Sequence, residues 1–329
     1  MAETLTWGLI STARITRKII PAIQTSPGCI LMAVASRDQD KADDFAGEFG
    51  IPRAYGTYQD LLDDPKIDCV YNPLPNSLHA EWTIKALEAG KHVLCEKPFT
   101  MDSQEALAVS AAAKDANRVV MEAFMYRFHP QWERVRLMIE NGDIGELRLI
   151  RAQMGGHMDR LDDIRMKPEY GGGALMDVGC YCVNACRMIA ASEPEWMAAT
   201  ANYENDVDVM FTALMRFPGD VLTEFNCGFR SNPHNDVDII GTEASIRVSS
   251  PWGPGPDEDV DLIVNRDNRI EKIPVPAADE YEVQVENFAD AVRGESPLRW
   301  GAEDAVKQMK VVDTLRLSAE RNEPITIEA

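Results

Sequence analysis

The stretch Leu87-Glu88-Ala89-Gly90-Lys91-His92-Val93-Leu94-Cys95-Glu96-Lys97-Pro98 holds the end of one helix, a whole strand and the corner that follows it. Ser77–Ala89 has helical spacing, and Lys91–Cys95 is a short apolar strand. Lys97 stands at that strand's carboxyl end with a proline behind it. The same alternation repeats on both sides. Leu5–Ile10, Ile30–Ala35 and Asp68–Tyr71 read as buried strands, with helices at Arg17–Gln24 and Gln39–Gly50. Downstream, a helix over Ser103–Asn117 leads to a strand at Val119–Glu122. Strands that take turns with helices build βαβ units on a parallel sheet. Residues 1–124 are therefore predicted to form a doubly wound α/β domain.

From Phe124 onward the pattern changes. A helix at Gln131–Asn141 leads into Leu147–Met154, and a long loop precedes a helix around Ala174–Ala191. Strand-like runs follow at Met197–Tyr203, Val209–Phe217, Val221–Phe229, Val237–Gly241, Ser245–Val248, Val260–Asn265 and Arg269–Val275. Pro218-Gly219-Asp220 is a hairpin-scale connection between two of them. Glu280–Arg293 and Ala302–Arg321 close the chain as helices, the last of which is a candidate to pack back on the first domain. Residues 125–329 are predicted to be an α+β domain on a large, mainly antiparallel sheet. Helices on one face would leave the other for a partner subunit. Pro251–Asp261, rich in proline, glycine and acid, reads as a solvated connection.

The chain has 329 residues, 45 % hydrophobic and 26 % charged, which excludes collagen-like, disordered and disulfide-scaffold classes. A formal net charge of −21 repels phosphate backbones and anionic lipid, so neither nucleic acid nor a membrane is an expected partner. The acid excess is too mild to establish a saline habitat. Seven cysteines form no CxxC pair, and no metal site is expected. They read as buried thiols of a reducing compartment. Met1-Ala2-Glu3-Thr4 has neither the basic nor the apolar region of a signal, so the chain is expected to be cytoplasmic.

Where the first strand ends, Gly8-Leu9-Ile10-Ser11-Thr12-Ala13-Arg14-Ile15-Thr16 occupies the place of a dinucleotide-binding loop. The GxGxxG template falls on Ser11, Ala13 and Thr16, none of which is glycine. After the second strand, Ser36 stands where an NAD-binding protein carries an acid, and Arg37 follows it. A hydroxyl and a guanidinium suit a 2′-phosphate, so NADP is favoured; Asp38 is the competing residue that would read NAD. Leu74, Asn76, His79, Glu96 and Lys97 lie after the third and fourth strands, where an open α/β sheet places its ligands. Tyr126 and Arg127 follow the fifth. In the second half Gly171-Gly172-Gly173 precedes Asp177 and Tyr181, four residues apart and so on one helix face. The glycines would permit close backbone approach to a ligand.

These segments, in this order from Trp7 to the closing helices, resemble the glucose-fructose oxidoreductase/inositol dehydrogenase (Gfo/Idh/MocA) family. The hallmarks are Leu87–Pro98, Pro75–His79 and the stretch 171–181. The resemblance implies an N-terminal Rossmann domain, a C-terminal domain for substrate binding and oligomerisation, and oxidation or reduction of carbohydrates with NAD or NADP. It implies Lys97, Asp177 and Tyr181 as the catalytic group and a cis Lys97–Pro98 bond. Tyrosine in place of histidine at 181 is similar to the glucose-fructose oxidoreductase, D-xylose dehydrogenase and dimeric dihydrodiol dehydrogenase branch. Where the family has Trp-Arg, this chain has Ile164-Arg165, so only the arginine carries over.

The expected cofactor contacts are Ser11, Thr12, Ala13, Arg14, Ile15, Ser36, Arg37, Leu74, Asn76, His79, Glu96, Lys97, Arg127 and Arg165. The expected substrate contacts are Lys97, Tyr126, Arg127, Asp177 and Tyr181. With no N-terminal arm to trap it, NADP is expected to exchange freely. The expected reaction is oxidation of an aldopyranose at C1, with Tyr181 as acid/base and Lys97 as its electrostatic partner. The alternatives are a dihydrodiol dehydrogenase or 1,5-anhydrofructose-type reductase, and a cofactor-binding sensor. A homodimer or homotetramer is expected through the C-terminal sheet.

Overall fold

A computed structural model describes residues 4–327; the first three residues, read above for a targeting signal, lie outside it. The chain divides into two compact units. One spans the residues up to Met125 together with Tyr281–Met309; the other spans Tyr126–Glu280 and the residues from Lys310.

In the first unit, buried apolar runs make the strands β1 (Leu5–Ile10), β2 (Cys29–Ala35), β4 (Cys69–Asn72), β5 (His92–Cys95) and β6 (Val120–Glu122), while β3 (Arg53–Tyr55) is only half-buried. They form a parallel sheet in the order β3-β2-β1-β4-β5-β6. The order reverses between β1 and β4, which is where an open α/β sheet opens a crevice at its carboxyl edge.

The connecting helices are α1 (Thr16–Thr25), α2 (Gln39–Phe49), α3 (Tyr58–Leu62), α4 (His79–Glu88) and α5 (Ser103–Ala116). Their ends carry local signals. Asp38 caps α2 by accepting from the Lys41 amide, and Asp102 caps α5 by accepting from Gln104 and Glu105. Gly50 and Asn117 end the same two helices in the left-handed conformation. Lys91, buried in the hallmark stretch, donates from Nζ to the carbonyls of Asp64 and Ile67 at 2.7 and 2.8 Å. That lysine ties β5 to the loop before β4. Trp7 is fully buried and packs on Phe288, with ring centroids 5.3 Å apart.

The sequence reading omitted β3 and α3. A three-residue strand and a five-residue helix are too short to display a period. They are held instead by tertiary contacts: Asp64, pushed up by burial, is brought below its ordinary range by the Lys66 amide, Tyr55 and Arg53.

The second unit is built on a nine-stranded sheet in the order β14-β13-β12-β11-β7-β10-β9-β8-β15. Its strands are β7 (Leu147–His157), β8 (Trp196–Glu204), β9 (Val207–Phe217), β10 (Val221–Gly228), β11 (Arg230–Gly241), β12 (Ser245–Val248), β13 (Val260–Arg266), β14 (Arg269–Val275) and β15 (Ile325–Thr326). β10 runs parallel to β7, and the other pairs are antiparallel. The β9–β10 hairpin turns at Gly219 and Asp220, both at positive φ.

Its helices are α6 (Pro130–Glu140) and α7 (Cys180–Ala190); α8 (Glu280–Arg293) and α9 (Ala302–Arg321) follow the sheet. α7 packs on β7 and β10. β9 alternates strictly, with Phe211, Ala213 and Met215 buried on one face and Thr212, Leu214 and Arg216 exposed on the other. The fold is therefore a parallel Rossmann sheet followed by a mixed, mostly antiparallel one.

Candidate active site

Every candidate residue of the first unit's cofactor face follows the carboxyl end of a strand. Ser11, directly after β1, has φ 125°, a conformation that favours glycine. The chain thus makes the turn of a dinucleotide loop with a serine where the template has its first glycine. Thr12, Ala13, Arg14 and Ile15 continue to the start of α1. Thr16 is fully buried and its hydroxyl donates to the Ala13 carbonyl at 2.5 Å. The Thr16, Arg17 and Lys18 amides bond back to the Ala13, Arg14 and Ile15 carbonyls, which ties the first turn of α1 to the loop after β1, the place where a dinucleotide fold puts its phosphates.

At the end of β2, Ser36 is buried and Arg37 exposed. Asp38 spends its carboxylate on the α2 cap. Tyr58, absent from the sequence reading, joins this group. Burial raises its phenol above the ordinary value, while the Arg37 charge and hydrogen bonds with Ser11 and Arg37 lower it. Its position at the start of α3 was the available signal, hidden because α3 itself was not recognised.

After β4, Asn72 is fully buried; its amide donates to the His79 carbonyl and the Thr83 hydroxyl and accepts from the Leu74 amide. Asn76 lies in the short 3₁₀ turn that leads into α4. His79 is buried with one ring nitrogen 2.7 Å from the Leu74 carbonyl and the other 2.7 Å from the Pro98 carbonyl. Burial pushes its pKa down to about 4, against the pull of those two carbonyls. The ring is therefore spent on the chain itself, stapling the loop after β4 to the corner after β5. At that corner the Lys97–Pro98 peptide is cis, in agreement with the family resemblance. Glu96 accepts from the Tyr71 hydroxyl at 2.5 Å and from the Lys97 amide. These contacts hold the backbone that carries Lys97.

In the second unit Asp177 lies in a π turn, Leu175–Gly179, that runs directly into α7 with Tyr181. Turns of this kind interrupt α-helices frequently at functional sites. Arg165 donates from Nε to Asp177 at 2.7 Å and from Nη1 to Asp163 at 3.2 Å. The Asp177 charge is the main cause that raises the guanidinium's pKa. Arg165, expected against cofactor or substrate, is thus seated on Asp177.

Tyr181 is 7 % exposed, and its ring lies 5.6 Å from that of Tyr126 and 5.8 Å from that of Trp252. Tyr126 is fully buried and donates to Asn184 Oδ1 at 2.6 Å, one turn further along α7. It backs Tyr181. Arg127 is buried in the same short 3₁₀ turn as Tyr126.

Two sequence readings need correction here. The loop from Pro251 is not solvated at its start. Trp252 is buried and donates to the Gln153 carbonyl, and Pro251 accepts from Trp132. A lone tryptophan in a Pro/Gly/acid run was the signal. The glycine run, in turn, serves the chain's own packing. A Cβ on Gly172 would meet the Arg165 carbonyl oxygen at 2.5 Å, and one on Gly173 would meet Asp208 Oδ1 at 2.1 Å.

All seven cysteines are buried thiols, and burial pushes those at 69, 182 and 227 well above the ordinary range. Among the described residues no helix is long and apolar enough to cross a membrane.

Comparison with known proteins identifies the family. A family model described as "Oxidoreductase family, NAD-binding Rossmann fold" matches residues 5–124, and the "GFO/IDH/MocA C-terminal domain" matches residues 132–247. The chain is 35 % identical to a D-xylose 1-dehydrogenase (NADP(+)) from Haloferax volcanii, over 98 % of this chain and 99 % of that one. It is 33 % identical to the mouse trans-1,2-dihydrobenzene-1,2-diol dehydrogenase, over 84 % and 82 %. A 3-ketoreductase from Actinomadura kijaniata, solved with NADP and TDP-benzene, superposes with TM-score 0.91 at 33 % identity, covering 96 % of this chain and 98 % of that one.

Proposed function

Since the chain belongs to the Gfo/Idh/MocA family and is an NAD(P)-dependent oxidoreductase, we propose that it oxidises an aldopyranose of the D-xylose or glucose type at C1 with NADP. The observation that carries this reading is the pair on one turn of the second unit, Asp177 seated on Arg165 and Tyr181 backed by Tyr126 and Trp252. A sugar ring needs one proton acceptor for its hydroxyl and one fixed acid to orient its neighbours, and this turn presents both kinds of group.

A bound nicotinamide would supply the acceptor for the hydride on C1. The loop at Ser11–Ile15 and the start of α1 would hold the pyrophosphate. Ser36 and Arg37, with Tyr58 beside them, would hold the 2′-phosphate. Asp38 supports NADP over NAD, because its carboxylate is engaged by Lys41. Leu74, Asn76 and Glu96 would line the nicotinamide ribose, with His79 fixing the Leu74 and Pro98 carbonyls; Arg127 would touch substrate or pyrophosphate.

The proton on the sugar's oxygen must go to a base. A free phenol titrates near ~10 and is a weak acceptor at neutral pH, but an ammonium nearby favours the phenolate. In this reading Tyr181 takes the proton, the Lys97 ammonium lowers its pKa, and Asp177 orients the substrate. The product is the lactone.

The second reading is reduction of a ketosugar or oxidation of a dihydrodiol, which the relatives from A. kijaniata and mouse favour by their names. A cofactor-binding sensor is disfavoured by the presence of Lys97, Asp177 and Tyr181 together. The reading includes a homodimer or homotetramer through the open sheet face, supported by Leu214 and Leu222, 49 % and 53 % exposed there. It also includes a reducing, cytoplasmic compartment, supported by the unbridged thiols. Turnover with a panel of aldoses, ketosugars and dihydrodiols tests it. NADPH formation with an aldopyranose is expected, and activity confined to dihydrodiols or ketosugars would replace it with the second reading.

A further inference from the structure

The helix that carries Asp177 and Tyr181 begins at Ala174, and a helix start leaves its first amides without intrahelical acceptors. The residue before it, where a serine or aspartate would supply a capping oxygen, is Gly173 at φ +124°. The cap comes from elsewhere. Asp208, on β9, lies 33 residues beyond Leu175 in sequence and accepts from the Leu175 amide with Oδ2 at 2.7 Å. The Ala174 amide also bonds to it. Its other oxygen occupies the space a Cβ on residue 173 would need. Gly173 and Asp208 are therefore two halves of one cap, a glycine that clears room and a carboxylate that fills it.

We infer that Asp208 is a positioning residue for the reaction. Ionised, it fixes the amides of residues 174 and 175, and through them the turn that holds Asp177 and Tyr181; protonated, it releases that turn.

The chemistry of its surroundings makes this a titration near neutral pH. Burial pushes the Asp208 carboxyl up to about 6, against its bonds with the amides of Leu175, Asp208 itself and Ala174 and against the charge of Arg316. The groups that face it are Arg316 from α9, Tyr203 from β8 and Cys227 from β10. Asp313 holds Arg316 at 2.8 Å, and Glu320 acts on Tyr203. Burial raises both the phenol and the thiol, so both are neutral near pH 6 and leave Asp208 as the group that changes charge.

This inference rests on the catalytic reading of Asp177 and Tyr181, so its test has one arm that needs no turnover. In the full chain, protection of the 174–177 amides from hydrogen exchange, corrected for the intrinsic rate, is expected to fall on the order of tenfold between about pH 7 and about pH 5. Asp208→Asn keeps an acceptor but cannot ionise. It is expected to show the low protection at every pH, and a kcat that stays at the wild type's acid plateau, roughly tenfold down, with no inflection near pH 6. NADPH affinity is expected to stay within about twofold, since the cap is remote from the cofactor loop in sequence. Asp208→Ala should lose more than Asp208→Asn.

If neither variant folds, the wild-type exchange profile alone decides. Flat protection across pH 6, or an Asp208→Asn variant with wild-type kcat and an unchanged acid limb, overturns the inference. Retained turnover in Tyr181→Phe would instead strike the catalytic reading while leaving the exchange result standing.

Discussion

Replacing Gly173 by alanine tests the packing account of the glycine run quantitatively. The new Cβ would stand 2.1 Å from Asp208 Oδ1, where ordinary contacts begin at 3.4 Å. It would also sit at φ +124°, which costs a non-glycine residue about 1–3 kcal/mol. Asp208 cannot stay where it is, so its charge-assisted bond to Leu175 is lost, about 1.5–3 kcal/mol more. The total is about 2.5–6 kcal/mol. Gly255→Ala is the control, because Gly255 has φ +100° with nothing within 4 Å of a Cβ. It bears the backbone cost alone, and the unfolded-state gain from adding a methyl group cancels between the two variants. Urea denaturation followed by circular dichroism should place Gly173→Ala about 1.5–3 kcal/mol below Gly255→Ala. Equal losses would refute the account, and would return the glycines to the role of clearing space for a ligand.

Ser36→Asp should weaken NADPH binding at least about tenfold while improving NADH, read by fluorescence titration; unchanged NADPH affinity would show that Ser36 does not face the 2′-phosphate. Acid should weaken the first unit through His79, whose pKa falls from 6.5 to about 4 on folding. A depressed folded-state pKa means that stability is full above pH 6.5 and is lost as pH falls toward 4, at most about 3 kcal/mol from this ring. Nitrogen chemical shifts of the ring near about pH 6 should report neutral imidazole. An imidazolium donating from both nitrogens to Leu74 and Pro98 would reverse the sign of the pH dependence.

The sequence carried the fold where its signals are periodic, and it named candidate site residues where they are chemical. Buried apolar strands alternating with helices announced the parallel sheet, and strand-like runs joined at hairpin scale by Pro218-Gly219-Asp220 announced the mainly antiparallel one. Ser11 was named as a candidate despite a failed glycine template, because position after β1 weighed more than residue type; its φ of 125° is one that favours glycine. What stayed hidden depends on residues distant in the chain. Tyr58 reaches Ser11 and Arg37 only through α3 and β3, which are too short to show a period. The glycine run looked like a ligand cradle because the neighbour of Gly173, Asp208, lies far along the sequence on another strand. Trp252 was overlooked because the composition of the loop around it outweighed one buried ring whose bond partner, Gln153, is 99 residues away.

The central claim is that Tyr181 carries the proton in an NADP-dependent oxidation of an aldopyranose. Absorbance at about 340 nm follows NADPH directly, in wild type and in Tyr181→Phe, with NADP or NAD and D-xylose or glucose. The account predicts NADPH formation by wild type with little activity on NAD, and a kcat roughly 100-fold lower or worse in Tyr181→Phe with NADPH affinity nearly intact. Near-wild-type turnover in that variant would contradict it.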